Sequence, residues 1–307
     1  MKLYSLKDKK LNEISSVSFK LEDEIHNTVE NNLKLLFNLE LVKSEFKIKN
    51  FRIDTLGYDR ENKTFVIVEY KRDRNFSVID QGYTYLSLMV NNKSDFILEY
   101  NENCKENLKR DDIDWSQSRV IFISPHFTDY QKNSINFKDV PFELWEIVKY
   151  NNNLIGFVQH KTSSDVSIST VQSNTGSIVS SVTREIKVYT EEYHFLKNKR
   201  RDKRIIELYE LLKERIKNLG DDIEVVPRKE YIGFRRKRPF TDITFFTDHL
   251  TIAINMKKGE LDDPKKICKD VSNQGHWGNG DYEFRLVPDG DLDYIMFLLK
   301  QSYKKQD

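Results

Sequence analysis

Asp54, Glu69 and Lys71 are the residues whose types and spacing best suit chemistry. Asp54 sits in the short run Phe51-Arg52-Ile53-Asp54-Thr55-Leu56, and Glu69-Tyr70-Lys71 closes the apolar run Phe65-Val66-Ile67-Val68 fifteen residues on. In a strand, residues i and i+2 point to the same side, so Glu69 and Lys71 share a face and Tyr70 points away. Pairing of the two runs as a hairpin would bring Asp54 beside Glu69. Two carboxylates and a nearby backbone carbonyl, that of Tyr70, are the hard oxygen ligands that Mg²⁺ prefers. A metal held there would acidify its water and neutralise charge on a phosphoryl transition state. Lys71 would hold that water or help deprotonate it, and would add positive charge where anionic charge develops. The plainer alternative for a Glu-x-Lys at a strand end is an ordinary solvated edge.

Other residues are placed to support such a site. Glu24 borders the stripe Leu21, Ile25, Val29, Leu33 and Phe37, whose four-residue recurrence predicts an amphipathic helix. From that border its carboxylate could reach the metal site from the side. Gln81 and Tyr85, four apart, share a face near the start of a second helix predicted over 77–90. Between the two runs, Asp59-Arg60-Glu61-Asn62-Lys63 is turn-like. Strands are expected near 96–100, 120–124 and 142–150, with a helix after Pro125. These elements amount to an α/β domain, a mixed sheet flanked by helices.

The composition changes sharply over Lys161 to Thr183, which is rich in Ser, Thr, Val, Asn and Gln and nearly free of charge. That predicts a first domain over 1–160, a Ser/Thr-rich linker over 161–186 and a small α+β domain over 187–307. In the last, a helix over 203–218 precedes strands near 224–227, 231–235, 240–246, 250–256 and 282–287, and a helix over 291–302 closes the chain.

The totals exclude some classes. Lys plus Arg number 50 against 49 for Asp plus Glu, and this balance neither announces nor excludes a nucleic-acid partner. Cys104 and Cys268 have no CxxC spacing, which argues against a disulfide scaffold or thiolate zinc and fits a reducing cytoplasm. The six histidines include no pair at i, i+4. No run approaches the roughly 20 apolar residues of a membrane span, and no signal peptide is evident. A cytoplasmic protein without a membrane partner is expected.

The order Glu24, Asp54, Glu69-Tyr70-Lys71 and Gln81-x-x-x-Tyr85 resembles the PD-(D/E)XK nuclease superfamily, over roughly residues 15–150. Its Gln-x-x-x-Tyr element is similar to that of RecB-type nucleases and archaeal mismatch or branch-specific endonucleases, as is the segment Arg52-Ile53-Asp54-Thr55-Leu56-Gly57. One departure is Ile53, where the nominal motif has proline before the aspartate. The resemblance implies a restriction-endonuclease-like core that is a Mg²⁺- or Mn²⁺-dependent endonuclease acting on DNA. Asp54, Glu69 and the Tyr70 carbonyl would hold the metal, Lys71 would position the water, and Glu24, Gln81 and Tyr85 would support them. A homodimer is compatible with it. The alternative is a non-cleaving nucleic-acid-binding or protein-interaction module on a nuclease-derived fold.

The second half resembles a small uncharacterised domain often appended to such nucleases, through Tyr189-Thr190-Glu191-Glu192, Gly220-Asp221-Asp222, Tyr231-Ile232-Gly233-Phe234 and the segment Val271 to Asp281. Basic clusters suggest contact with phosphates: Arg200, Arg201 and Arg204 at a helix start, and Arg235, Arg236, Lys237 and Arg238 in a turn. Trp277, in the glycine-rich loop from Gly275 to Gly280, offers a stacking surface. The competing readings are a solvated helix face, a charged hairpin tip and an aromatic anchor in a turn.

Overall fold

The computed structural model describes residues 2–72, 77–168, 178–198, 200–275 and 278–305. The chain divides into two units, Met1–Val188 and Tyr189–Asp307. The first is an α/β unit with a mixed sheet flanked by helices, and the second combines a smaller sheet with helices.

The first unit opens with a self-paired hairpin, β1 (Leu3–Lys7) and β2 (Lys10–Ile14). The short β3 (Ser16–Val17), α1 (Glu22–Glu30) and α2 (Leu33–Phe37) follow. The single helix expected here is broken at Asn31 and Asn32. Their amides turn back onto the carbonyls of Asn27 and Thr28, both at 2.8 Å, and Asn32 leaves helical geometry. Next come β4 (Glu40–Ile48), β5 (Phe51–Asp59) and β6 (Thr64–Tyr70), then α3 (Val78–Asn91) and α4 (Lys93–Cys104). The strand expected over 96–100 lies inside α4. Phe96 and Tyr100, both fully buried, are one helical turn apart, a spacing that a five-residue apolar run does not separate from a strand. The remaining elements are β7 (Arg119–Ser124), α5 (Asp129–Ser134), β8 (Phe142–Tyr150), β9 (Leu154–His160) and α6 (Ile178–Glu185).

The sheet runs β3-β8-β7-β6-β5-β4, with β9 also paired to β8. β6, β7 and β8 are parallel neighbours, and the remaining pairs are antiparallel. Strand alternation sends Phe65, Ile67 and Glu69 to one face and Val66, Val68 and Tyr70 to the other. The first face packs on a core that includes Leu86 and Met89 of α3 and Phe96 of α4. The second packs on Ile25 and Val29 of α1 with Leu33 and Phe37 of α2. Every residue of β6 is buried, as expected of a strand covered on both faces.

The segment expected as a linker is held by the first unit where it is described. Ile168, Val182 and Ile186 are buried in the core beside α3. The amides of Ser163 and Ser164 donate to Asn136 Oδ1 at 2.9 and 3.2 Å, and that of Ile168 to Asp139 Oδ1 at 2.8 Å. A few apolar anchors and two side-chain acceptors, an amide oxygen and a carboxylate, hold a segment whose composition alone reads as unstructured.

The second unit comprises α7 (Glu191–Leu196), α8 (Lys203–Lys217), β10 (Glu224–Pro227), β11 (Ile232–Arg235), β12 (Pro239–Phe245), β13 (Leu250–Ile254), β14 (Lys269–Asp270), β15 (Tyr282–Leu286) and α9 (Leu292–Lys304). Its antiparallel sheet runs β10-β11-β12-β13-β15-β14. The apolar stripe of α8 (Ile205, Leu208, Leu212, Ile216) and that of α9 (Ile295, Leu298, Leu299) share one core with it. Among the described residues, no helix is long and apolar enough to cross a membrane.

Candidate active site

The β5–β6 hairpin turns where the polar cluster over 59–63 predicts it, because Asp59 accepts the Asn62 amide at 3.0 Å and its side-chain NH₂ at 2.7 Å. The resulting register sets Thr55 opposite Val68 and so directs Asp54 towards Glu69. Asp54 Oδ2 accepts the Tyr70 amide at 3.0 Å. In an extended strand a residue's N–H and C=O point to the same side, so the Tyr70 carbonyl is turned towards Asp54. The next amide, Lys71 N–H, points the other way and bonds Ile123 O on β7 at 2.9 Å.

Glu69 is 2% exposed and gathers three donors on one oxygen. Lys71 Nζ, Gln81 Nε2 and Tyr85 Oη reach Oε1 at 2.7, 2.6 and 3.1 Å. Gln81 Nε2 also lies 3.0 Å from Tyr85 Oη, which stands 3.2 Å from the carbonyl of Arg52. α3 supplies both side chains because its start is capped by Ser77, whose hydroxyl accepts the Asp80 amide at 3.3 Å. It approaches the sheet closely at Gly82, where a Cβ would fall 2.6 Å from the Phe142 ring. The other oxygen, Glu69 Oε2, is buried and has no hydrogen-bond partner. Leaving such an atom unsatisfied costs on the order of 1–3 kcal/mol.

Electrostatics follow from this burial. Burial raises the Asp54 carboxyl, although the Tyr70 amide and Lys71 pull it back. Burial and then the charge of Asp54 push Glu69 up to about 7. Burial works against charge on Lys71, but Glu69 and Asp54 outweigh it and raise the ammonium above its ordinary range. Burial, then Glu69, raises the Tyr85 phenol, which stays a donor.

Glu24 is not in this group. Its carboxylate pairs with Lys149 on β8 and accepts the Lys20 amide at 3.1 Å. Two residues along a helix are roughly 200° apart, and it is Glu22 whose charge acts on Asp54 and Lys71. Glu22 also accepts the Arg72 amide at 2.7 Å, which docks the start of α1 beside the end of β6. His26 and Glu30 on α1 and Thr55 on β5 form a polar group on the opposite face of the sheet. Sequence reasoning passed over all three, although Thr55 adjoins Asp54 and His26 and Glu30 stand one helical turn apart.

Asp54, Glu69 and the Tyr70 carbonyl are hard oxygen donors, which suits Mg²⁺ or Mn²⁺. Among the described residues no group of three or more His, Cys, Asp or Glu side chains could hold a metal. The fit rests on the open valences: each carboxylate has one oxygen committed to a protein donor, while Glu69 Oε2 is buried and unpartnered.

The basic residues of the second unit behave differently. Arg201 donates to the carbonyls of His194, Phe195 and Phe246 and lies 5.0 Å over the Phe245 ring. Arg204 pairs with Asp202, the residue capping α8, at 2.8 Å. Arg236 pairs with Asp222 and lies 5.3 Å over the Tyr303 ring. Arg201 and Arg236 are thus tied to carbonyls, a carboxylate and aromatic rings of the unit, while Arg204 remains exposed beside its Asp202 partner. Arg235 is half-buried on β11 opposite Glu224, while Arg200, Lys237 and Arg238 are exposed. Trp277 lies outside the described residues.

Residues 192–306 match a family described as a domain of unknown function, DUF5655. An uncharacterised protein of Haemophilus influenzae is 48% identical over 307 residues, covering 99% of this chain and 100% of its own. A repair endonuclease from Pyrococcus abyssi is 17% identical with a TM-score of 0.23, over 44% of this chain and 60% of that one. The EndoMS-dsDNA2 complex is 18% identical with a TM-score of 0.22, over 44% of this chain and 56% of that one. The chain thus spans well under two thirds of both solved structures, and likeness this slight carries no argument about activity. It belongs to the same family as the Haemophilus influenzae protein.

Proposed function

We propose that this member of that family is a metal-dependent nuclease that hydrolyses phosphodiester bonds in DNA, with its site at the ends of β5 and β6. The observation that supports this most is Glu69, a buried carboxylate that feels the charge of Asp54 and has one oxygen held by three donors and the other without a partner. A purely structural carboxylate in that position would be costly without return.

A divalent cation of the Mg²⁺ or Mn²⁺ class, held by Asp54, Glu69 and the Tyr70 carbonyl, would supply charge neutralisation and acidify the attacking water. The chain's own groups do the rest. Gln81 and Tyr85 fix the Glu69 rotamer, so its unpartnered oxygen is presented without reorganisation. Lys71 is kept protonated by its two carboxylate neighbours. It therefore serves as a fixed cation and hydrogen-bond donor to the attacking water and the scissile phosphate, and not as the base. The exposed residues Arg200, Arg204, Lys237 and Arg238 leave the second unit able to contact nucleic acid.

The test is cleavage of circular single- and double-stranded DNA with Mg²⁺ or Mn²⁺, comparing wild type, Asp54→Asn and Lys71→Ala. Metal-dependent cutting by wild type alone is the expected result. Equal cutting by all three would mean a contaminant. No cutting on any substrate would replace this reading with the non-cleaving nucleic-acid-binding or protein-interaction module.

A further inference from the structure

Asp54 and Glu69 lie beyond the last backbone pair of their hairpin. The β5–β6 ladder runs from Asp59 opposite Thr64 to Thr55 opposite Val68 and stops there. No pair of that ladder joins the two residues directly, so ties beyond it help to set the separation of the two carboxylates. One tie is on their own face, where the Tyr70 amide donates to Asp54. A second is on the reverse face.

Thr55 follows Asp54, and Tyr70 stands between Glu69 and Lys71, so alternation sends both side chains to the side facing α1. There Tyr70 Oη lies 3.1 Å from Thr55 Oγ1, and Thr55 Oγ1 donates to Glu30 Oε2 at 2.6 Å. The threonine hydroxyl has one proton and directs it at the carboxylate, so Tyr70 is the donor in the first bond. His26 Nε2 lies 2.9 Å from the same Glu30 oxygen, and its ring stacks on Tyr70 with centroids 4.7 Å apart and planes 22° apart. Ser44 Oγ, 3.4 Å from His26 Nε2, closes the group from β4. Thr55 and Tyr70 are 0% and 1% exposed, so water does not compete for these bonds. The chain ends on a carboxylate of α1, the helix whose first turn also holds Arg72 through Glu22.

We propose that His26, Glu30, Thr55 and Tyr70 are positioning residues, a hydrogen-bonded chain on one face of the sheet that sets the spacing of Asp54 and Glu69 on the other. The inference rests on the metal-dependent reading above. Its effect is on how well the carboxylates are pre-arranged for a cation, with no contact to substrate or metal by these four side chains. Outer hydrogen-bond partners of metal ligands typically change affinity roughly 10-fold or more when removed.

The experiment is direct titration of Mn²⁺ into the full chain by calorimetry, well below the unfolding midpoint. The variants are Tyr70→Phe, Thr55→Val, Thr55→Ser and Val29→Ala. Tyr70→Phe and Thr55→Val are expected to weaken Mn²⁺ binding roughly 10-fold, while Thr55→Ser, which keeps the hydroxyl, stays near wild type. Val29→Ala removes apolar volume from the same core and has no polar atom in the chain. It is expected to lower the unfolding midpoint while leaving Mn²⁺ affinity unchanged. Should Tyr70→Phe fail to fold, the two Thr55 variants decide the matter. Wild-type affinity in Thr55→Val, or an equal loss in Val29→Ala, overturns the positioning role and leaves the proposed function standing. A wild-type chain that takes up no Mn²⁺ overturns the proposed function, and this inference with it.

Discussion

Around Asp54 and Glu69, the first unit buries charge that its own donors only half satisfy, whereas in the second unit Arg201, Arg204 and Arg236 each find partners within the unit. Both regions are dense in ionisable groups. The difference lies in unused valence: Glu69 keeps a buried oxygen open, while Arg201 has three carbonyls and an aromatic ring. A polar group that the fold has paired is part of its architecture. One that is buried and still open is costly to keep, and at Glu69 a bound cation would offset that cost.

The contrast can be broken most sharply at Lys71 and Asp54. Lys71→Ala and Asp54→Asn should each lower single-turnover DNA cleavage by roughly 100-fold or more, the scale of losing a fixed electrostatic contact to the transition state. A loss under tenfold would place the chemistry elsewhere. Next in size, Arg201→Ala should destabilise the second unit by about 2 kcal/mol, because it orphans the carbonyls that the guanidinium serves. Thermal unfolding would show this, with DNA affinity little changed, whereas Lys237→Ala should leave the unfolding midpoint alone and act only on salt-dependent DNA binding. The reverse pattern would return Arg201 to the phosphate-binding role that its sequence context suggested.

Gly82→Ala should cost about 1–3 kcal/mol by overpacking against Phe142, whose ring is 6% exposed and has little room to retreat. By lifting α3 it should also reduce cleavage, since Gln81 and Tyr85 would no longer reach Glu69; stability lost with activity intact would sever that link. The most gradual effect is in pH. Between pH 4.5 and about 7 the folded chain holds a proton on Glu69 that the unfolded chain has released. The unfolded state therefore binds fewer protons there, and stability without metal falls as pH rises through that window, by on the order of 1–3 kcal/mol. Glu69→Gln should remove this slope in denaturant titrations with chelator present. Metal uptake by wild type should strengthen over the same interval, because the ligand must be deprotonated.

Much of the arrangement around Glu69 was legible in the chain. The turn over 59–63, the i, i+2 relation of Glu69 and Lys71, and the i, i+4 relation of Gln81 and Tyr85 are local and periodic, and local periodicity survives folding. What depends on angle or long range was not. Glu24 and Glu22 differ by two positions on one helix; Ile25 and Val29, which pack on β6, share their side of α1 with Glu22 and not with Glu24, an angular relation that adjacency to Ile25 does not convey. The 161–186 stretch reads as a linker because composition does not reveal that Asn136 and Asp139 receive its amides. The Arg201 side chain carries the same charge in either role, and only its acceptors, Phe246 among them, distinguish the two.

β6 gives this arrangement a further property. All seven of its residues are buried, and the Lys71 amide just beyond it is bonded to β7 at 2.9 Å. Strands of this kind open to solvent only when the whole unit unfolds. The carboxylate end of the site is thus mounted on the part of the first unit that should exchange its amide hydrogens slowest. On the proposed metal-dependent reading, heating should then remove metal binding and tertiary structure in a single transition, with no folded intermediate in which Asp54 and Glu69 have come apart.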